Sequence, residues 1–335
     1  MSARRAVTEP GATAGFDHGA AAVAAWRSLR DACLRDDGET LVVTERAGGT
    51  RLAPVWPVSQ VLSAAIDLAV LTGDDRDARS IAAGLERYRR GAGYTPRRGN
   101  RRRYYDDNAW IGLDLVRLAV LSGDDSRRHR ARALVDLIAE GQDADGGVRW
   151  AEGRRSRHTC ATAPAAQLAL QLSAVEPDPG LEAFAGRGLD WLDRTLARGP
   201  LYADHVEGGT TDETLWTYNQ GSVVGAKLQL HLVTGDPAAL SQAMATARAS
   251  LARFDDEAIW RHPPVFNAIW LRNLSALDAA TPVPGLRERI DTYLDRAWTT
   301  GRDDDGLFTA GGIGAYDGTP AIDHAGVVQL FALRA

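Results

Sequence analysis

The chain has 335 residues, 44% apolar and 25% charged, with a formal net charge of −5. That is ample material for a large core, and the mild acidity excludes the basic footprint of a nucleic-acid binder. Two cysteines, Cys33 and Cys160, exclude a disulfide framework and a Cys-x-x-Cys metal site, and no uninterrupted apolar run approaches 18 residues, so no membrane span is expected.

Residues 1–14 are expected to be loosely ordered, and residues 15–335 to form one domain. Arg4 and Arg5 are not followed by an apolar stretch, so the segment does not read as a secretory signal. With two thiols expected to be buried, the reading is a cytoplasmic protein. Beyond it, two kinds of helical segment alternate. Segments 17–35, 76–90, 126–140, 180–197, 237–254 and 285–298 each carry a charged face. Segments 57–72, 108–122, 162–175, 217–234, 265–278 and 324–334 are apolar nearly all round, as helices buried on every side must be. Short hairpins are expected near 38–45 and around Gly146–Trp150.

Internal repeats set the frame. LAVLTGDD at 68–75 returns as LAVLSGDD at 118–125, and HLVTGD at 231–236 echoes both. Each has an apolar helix end, a glycine able to close it in the left-handed conformation, and an aspartate to cap the next helix. Six inner and six outer helices in strict alternation predict an all-α protein, an (α/α)6 toroid. The inner helices then run parallel, and their N-terminal ends share one face. Aligning the repeats brings Trp56–Pro57, Asp106–Asp107 and Tyr218–Asn219 to that face. His158–Thr159, Phe266–Asn267 and Asp323–His324 fall nearby.

Most Asp-Asp pairs here, such as Asp74–Asp75 and Asp124–Asp125, sit at turns, where capping explains them. Asp106–Asp107 differs in its surroundings: Tyr104 and Tyr105 precede it, and Asn108 and Trp110 follow. Aromatic rings stack on sugar faces, and amides and carboxylates bind sugar hydroxyls. Glycoside hydrolysis needs two carboxyl groups, and adjacent ones push their pKa values apart. Facing one another from consecutive positions, they would call for an irregular backbone just before Asn108. Trp216, Tyr218, Asn219 and Gln220 form a second constellation, whose amides would be buried at the head of an apolar helix unless they bind something. Trp150, in a glycine-led loop, is a further wall candidate. No metal-ligand spacing and no phosphate loop is present, so no cofactor is expected. Two arginine runs, Arg97, Arg98, Arg101, Arg102, Arg103 and Arg154, Arg155, Arg157, precede inner-helix entries. They suggest a substrate with an anionic substituent.

These motifs resemble those of glycoside hydrolase family 76. YYDDNAWIGLDL (104–115) resembles its Asp-Asp motif and WTYNQGSVVGA (216–226) its Tyr-Asn-Gln-Gly motif. GGVRW, TCATAPAAQLAL and FNAIWLRNLSAL resemble later blocks. The resemblance implies an (α/α)6 fold and endo-acting, retaining hydrolysis of α-1,6-mannan. It implies Asp106 as nucleophile, Asp107 as general acid/base, and no obligatory metal. The substrate would be an α-mannan oligosaccharide or mannoside, bound by Trp56, Tyr105, Asn108, Trp110, Trp150, Trp216, Tyr218, Asn219 and Gln220. Family relatives include mannan transglycosidases. A sugar epimerase would be expected to show paired histidines in place of paired carboxylates. A non-catalytic glycan-binding protein would bind α-1,6-mannooligosaccharides without turnover.

Overall fold

The computed structural model describes residues 16–308 and 320–335. The segment 1–14 lies outside these. The inner helices are α2 (Val55–Thr72), α4 (Tyr105–Ser122), α6 (Thr159–Val175), α8 (Thr217–Thr234), α10 (Pro264–Ala280) and α12 (Ala321–Arg334). The outer helices are α1 (His18–Cys33), α3 (Arg76–Leu85), α5 (Asp125–Ala139), α7 (Pro179–Thr195), α9 (Pro237–Arg253) and α11 (Leu286–Thr300). Each inner helix packs on the next, and α12 returns to α2, so the ring closes. The predicted (α/α)6 toroid is the fold.

The repeated marks do the work expected of them. Gly73, Gly123 and Gly235 close α2, α4 and α8 at φ 76°, 68° and 73°, where a side chain would be strained. Asp124 and Asp236 then accept from the backbone N–H groups of Ser126 and Ala238, capping α5 and α9. Helix α2 is long and apolar enough to cross a membrane, yet 72% of it is buried inside the ring. Its composition follows from contact with neighbours on every side.

Some boundaries moved. Helix α3 ends at Leu85, a tight turn follows at Glu86–Tyr88, and a short hairpin pairs Arg89 with Tyr94. The early hairpin pairs β1 (Leu34–Asp36) with β2 (Leu41–Val43), the Arg89 hairpin is β3 (Arg89–Arg90) with β4 (Gly93–Tyr94), and a further one pairs β6 (Ala197–Arg198) with β7 (Leu201–Tyr202). The expected hairpin at Gly146–Trp150 is a bridged loop, held by Gln142 to Val148 and Arg149 to Arg157. One small sheet was not foreseen: β5 (Arg157–His158), β8 (His205–Glu207) and β9 (Thr210–Asp212), in the order β5-β8-β9. Gly208 and Gly209, at φ 59° and 84°, make the two-residue turn between β8 and β9.

Inside the ring, Asp67 of α2 binds Arg117 of α4 and, on the far side of α12, Arg272 of α10. Burial pushes the Asp67 carboxyl up, but the two guanidiniums outweigh it and hold it below the usual range.

Candidate active site

The N-terminal turns of the inner helices surround a cleft of about 930 Å³. Its walls come from second and third helical positions: Trp56 and Pro57, Asp106 and Asp107, Cys160, Tyr218 and Phe266. Trp110 lies one turn deeper on α4, loops add Tyr104, Trp150 and Asp204, and the short strands β5 and β8 add His158 and His205. The aromatic walls are built by packing, with Tyr218 stacked on Phe266 at 3.9 Å and Trp56 beside Phe266 at 6.0 Å.

Asp106 and Asp107 sit in the first turn of α4 itself, so the irregular backbone expected there is not used. Successive side chains on a helix diverge by about 100°. Both still reach the cleft because the helix end points into it. Their surroundings differ sharply. Asp106 Oδ1 accepts from the Asp107 backbone N–H at 2.9 Å, and Oδ2 accepts from Trp150 Nε1 at 2.9 Å. The Cys160 thiol lies 3.6 Å from the same oxygen. The helix N-terminus adds its positive dipole end. Asp107 makes no side-chain hydrogen bond among the described residues. Burial raises both carboxyls. The donors around Asp106 restrain its rise, whereas the charge on Asp106 drives Asp107 higher still. Asp106 is therefore the more acidic of the two, and Asp107 the one that keeps its proton to higher pH.

Trp150 is itself held in place. His158 stacks on it at 5.2 Å, and His205 stacks on His158 at 4.2 Å with rings 5° from parallel. Asp204 takes His205 Nδ1 at 2.8 Å, and Asn219 Nδ2 donates to Asp204 Oδ1 at 2.9 Å. Burial keeps His158 neutral, at about 3. Trp56 Nε1 and His158 Nε2 are buried without a hydrogen-bond partner among the described residues.

Several expected sugar contacts are corrected. Asn108 and Gln220 are fully buried and do not line the cleft. Asn108 Oδ1 accepts from Tyr94 N at 2.8 Å, and its Nδ2 donates to Tyr94 O at 3.1 Å. Gln220 does the same with Tyr202, at 2.8 and 2.9 Å. Each amide copies a strand partner and pins a loop's backbone to the helix. Tyr105 is 5% exposed and turned into the core, and it is Tyr104 that lines the wall. Trp216 packs edge-on against His262 and Phe266 behind the wall. Asn219 is buried and meets the cleft only through Asp204. Trp56, Trp110, Trp150 and Tyr218 are where they were expected.

Asp204 and His205 were missed because they lie outside the helical repeat. The Gly208–Gly209 turn was the available signal, since it marks a hairpin returning to the same face. His158, Asp204 and His205 offer donor atoms within 4.8 Å of one another, a metal-like set by residue type. Parallel stacked imidazoles direct their in-plane lone pairs side by side, so the two rings do not converge on one ion.

Three of the eight arginines in the two runs are spoken for. Arg103 pairs with Glu152, Arg157 with Asp145, and Arg97 with Glu45. Arg97, the exposed Arg154 and Glu207 all line the cleft.

Two adjacent buried carboxyls of unequal acidity among aromatic walls suit the cleavage of a glycosidic bond, the chemistry of the glycoside hydrolases. The sequence as a whole narrows this. Residues 43–299 match glycosyl hydrolase family 76, and the chain belongs to that family. A search of curated proteins gives no match. Among solved structures, a family 76 glycoside hydrolase from a bovine Bacteroides thetaiotaomicron strain superposes with a TM-score of 0.84 at 22% identity, over 95% of this chain and 77% of that one. An α-mannanase of Bacteroides thetaiotaomicron gives 0.85 at 17% identity, over 96% of both chains. An inactive variant of the α-1,6-mannanase of Salegentibacter sp., with two consecutive aspartates changed to asparagine, was solved with α-1,6-mannotriose. It gives 0.82 at 20% identity, over 95% of this chain and 99% of that one. Likeness at such identities speaks for the fold.

Proposed function

We propose that this hydrolase cleaves α-1,6-linked mannosides by a retaining double displacement. The observation that carries the mechanism is the unequal solvation of the adjacent carboxyls. Asp106, supplied with donors and left anionic, attacks the anomeric carbon and forms the glycosyl-enzyme bond as the bond to the leaving oxygen breaks. Asp107, undonated and protonated, gives its proton to that oxygen. It then takes a proton from the water that attacks the anomeric carbon, which releases Asp106 and the product in its original α configuration. Trp150 keeps Asp106 oriented and stabilises it as leaving group in the second step. The mannose linkage is supported by the relative solved with α-1,6-mannotriose. A rim bearing Arg97 and Arg154 supports an anionic substituent on the glycan, for which Arg154 is unpaired among the described residues.

Proton NMR of the first-formed sugar from an α-1,6-mannooligosaccharide tests the stereochemistry. The α anomer is expected, and a β product would end the assignment of Asp106 as nucleophile. Longer products would show transglycosylation by the same intermediate, and binding without turnover would leave a glycan-binding protein. In Asp107→Asn, a substrate with an acidic leaving group should still be opened, and azide should accelerate release. For the substituent, turnover of a phosphorylated mannoside should fall with ionic strength, and Arg154→Ala should remove that dependence.

A further inference from the structure

Beyond the catalytic cleft the ring encloses a second cavity, of about 290 Å³, and all six inner helices line it. Trp110 borders both spaces. The outer end lies among the later turns of the inner helices, where Gln171 and Gln229 are half-buried and Ala276 is exposed.

Three oxygens of residues that line this cavity lack a hydrogen-bond partner among the described residues: Asp114 Oδ2, Gln167 Oε1 and Gln171 Oε1. Asp114 is 3% exposed and Gln167 9%, so bulk water does not satisfy them. The Gln167 amide cannot be turned round. Its Nε2 donates to Asn273 Oδ1 at 2.9 Å, and Asn273 is fixed in turn by donating to Ile269 O at 2.9 Å. The amide pair has been given room at the expense of a side chain. A Cβ on Gly225 would lie 2.0 Å from Asn273 Oδ1 and 2.6 Å from Gln167 Nε2.

The charges around the cavity decide what can enter. Arg117 and Arg272 line it, but both are engaged by Asp67, and Arg272 also donates to Gln329 at 3.0 Å. What remains on offer is uncharged amide, from Gln171 and Gln229, together with the unpaired acceptor oxygens. An anion meets those acceptors and is repelled, and a free cation meets two guanidiniums. A neutral molecule carrying several hydroxyl donors meets neither obstacle. Trp110, Leu113 and Ile269 give it an apolar surface of the kind that covers the face of a sugar ring. The volume is at the lower edge of small-molecule sites, which begin at about 300 Å³.

We propose that this axial cavity is a second binding site, for one neutral polyhydroxylated molecule the size of a single sugar ring. It does not rest on the linkage or mechanism proposed for the cleft. Ligand-observed NMR titrations with D-mannose, myo-inositol and glycerol test it in four proteins: wild type, Trp150→Ala to damage the front cleft, Gln171→Leu to remove an acceptor, and Ala276→Phe to plug the rear opening. Saturable binding of at least one probe should survive Trp150→Ala, weaken about tenfold in Gln171→Leu, and disappear in Ala276→Phe. Hydrolysis by Ala276→Phe should stay at the wild-type rate. Loss of all binding in Trp150→Ala, or binding indifferent to Gln171→Leu and Ala276→Phe, would overturn the proposal. So would the absence of saturable binding for every probe, which would leave the cavity filled by water alone.

Discussion

Asp106 and Asn108 stand two residues apart in the first turn of α4, one facing the cleft and the other facing backbone. The same division recurs around the ring. Second positions of inner helices put Trp56, Asp106, Cys160 and Tyr218 into the cleft. Fourth positions hold loops. Asn108 takes Tyr94, Gln220 takes Tyr202, and Asn267 Nδ2 donates to Ile259 O at 3.0 Å. Thr162 Oγ1 accepts from Val148 N at 3.0 Å, and His324 Nδ1 accepts from Phe308 N at 3.3 Å. Half a helical turn separates chemistry from support. Both positions carry polar residues, and only direction tells them apart.

The largest expected effect breaks the second position alone. Asp106→Asn should cost turnover on the order of 10⁴-fold or more on any substrate. Its thermal midpoint should not fall, because a carboxylate disfavoured by burial has been replaced by a neutral amide. A large loss of stability together with activity would mean that the division does not hold at α4.

The reverse experiment breaks a fourth position. Gln220→Leu leaves the buried N–H and C=O of Tyr202 without partners, which should destabilise the protein by about 2–4 kcal/mol in urea denaturation. The fraction that stays folded should turn over at near the wild-type rate. A folded Gln220→Leu enzyme with normal stability and a large kinetic defect would make Gln220 a substrate ligand after all.

The pH profile sharpens the contrast within the pair. Turnover should rise with pH as Asp106 loses its proton, near the value of about 6 to which burial lifts it. It should fall again as Asp107, raised further, loses its own, so the two limbs belong to the coupled pair. Asp107→Asn, assayed with an acidic leaving group, should abolish the alkaline limb.

A smaller effect tests the stack behind Trp150. In His158→Ala the indole loses its backing, and the Trp150 donor to Asp106 weakens. Because that donor lowers the Asp106 pKa, the acid limb of the kcat profile should move up by about one pH unit. His158→Phe keeps a ring in place and should restore the limb. An unmoved limb in His158→Ala would leave the stack without influence on Asp106.

The sequence carried the ring because helical periodicity and glycine-aspartate punctuation are local signals. The carboxyl pair stood out for the same reason, by its aromatic neighbours. The roles of Asn108 and Gln220 were not legible, because an amide that binds a sugar and one that binds a loop look identical until the loop's path is known. His158, Asp204 and His205 come together through β5 and β8, strands of two and three residues with no periodic signature. Arg103 and Arg157 read as available charge, and their partners Glu152 and Asp145 lie on loops whose course the sequence does not disclose.

The Asp67 ion pairs give the toroid a mechanical asymmetry. In the language of a wheel, α2 is joined to α10 by a spoke that skips the intervening rim segment, α12. Arg117 anchors the same hub to α4. The pairs lie well along the inner helices, away from the catalytic mouth, whose width is set by loops and stacked rings. The stabilisation is present above the ordinary carboxylate range and is lost as pH falls through the depressed Asp67 value. Acid therefore slackens the wheel at its hub, away from the catalytic mouth.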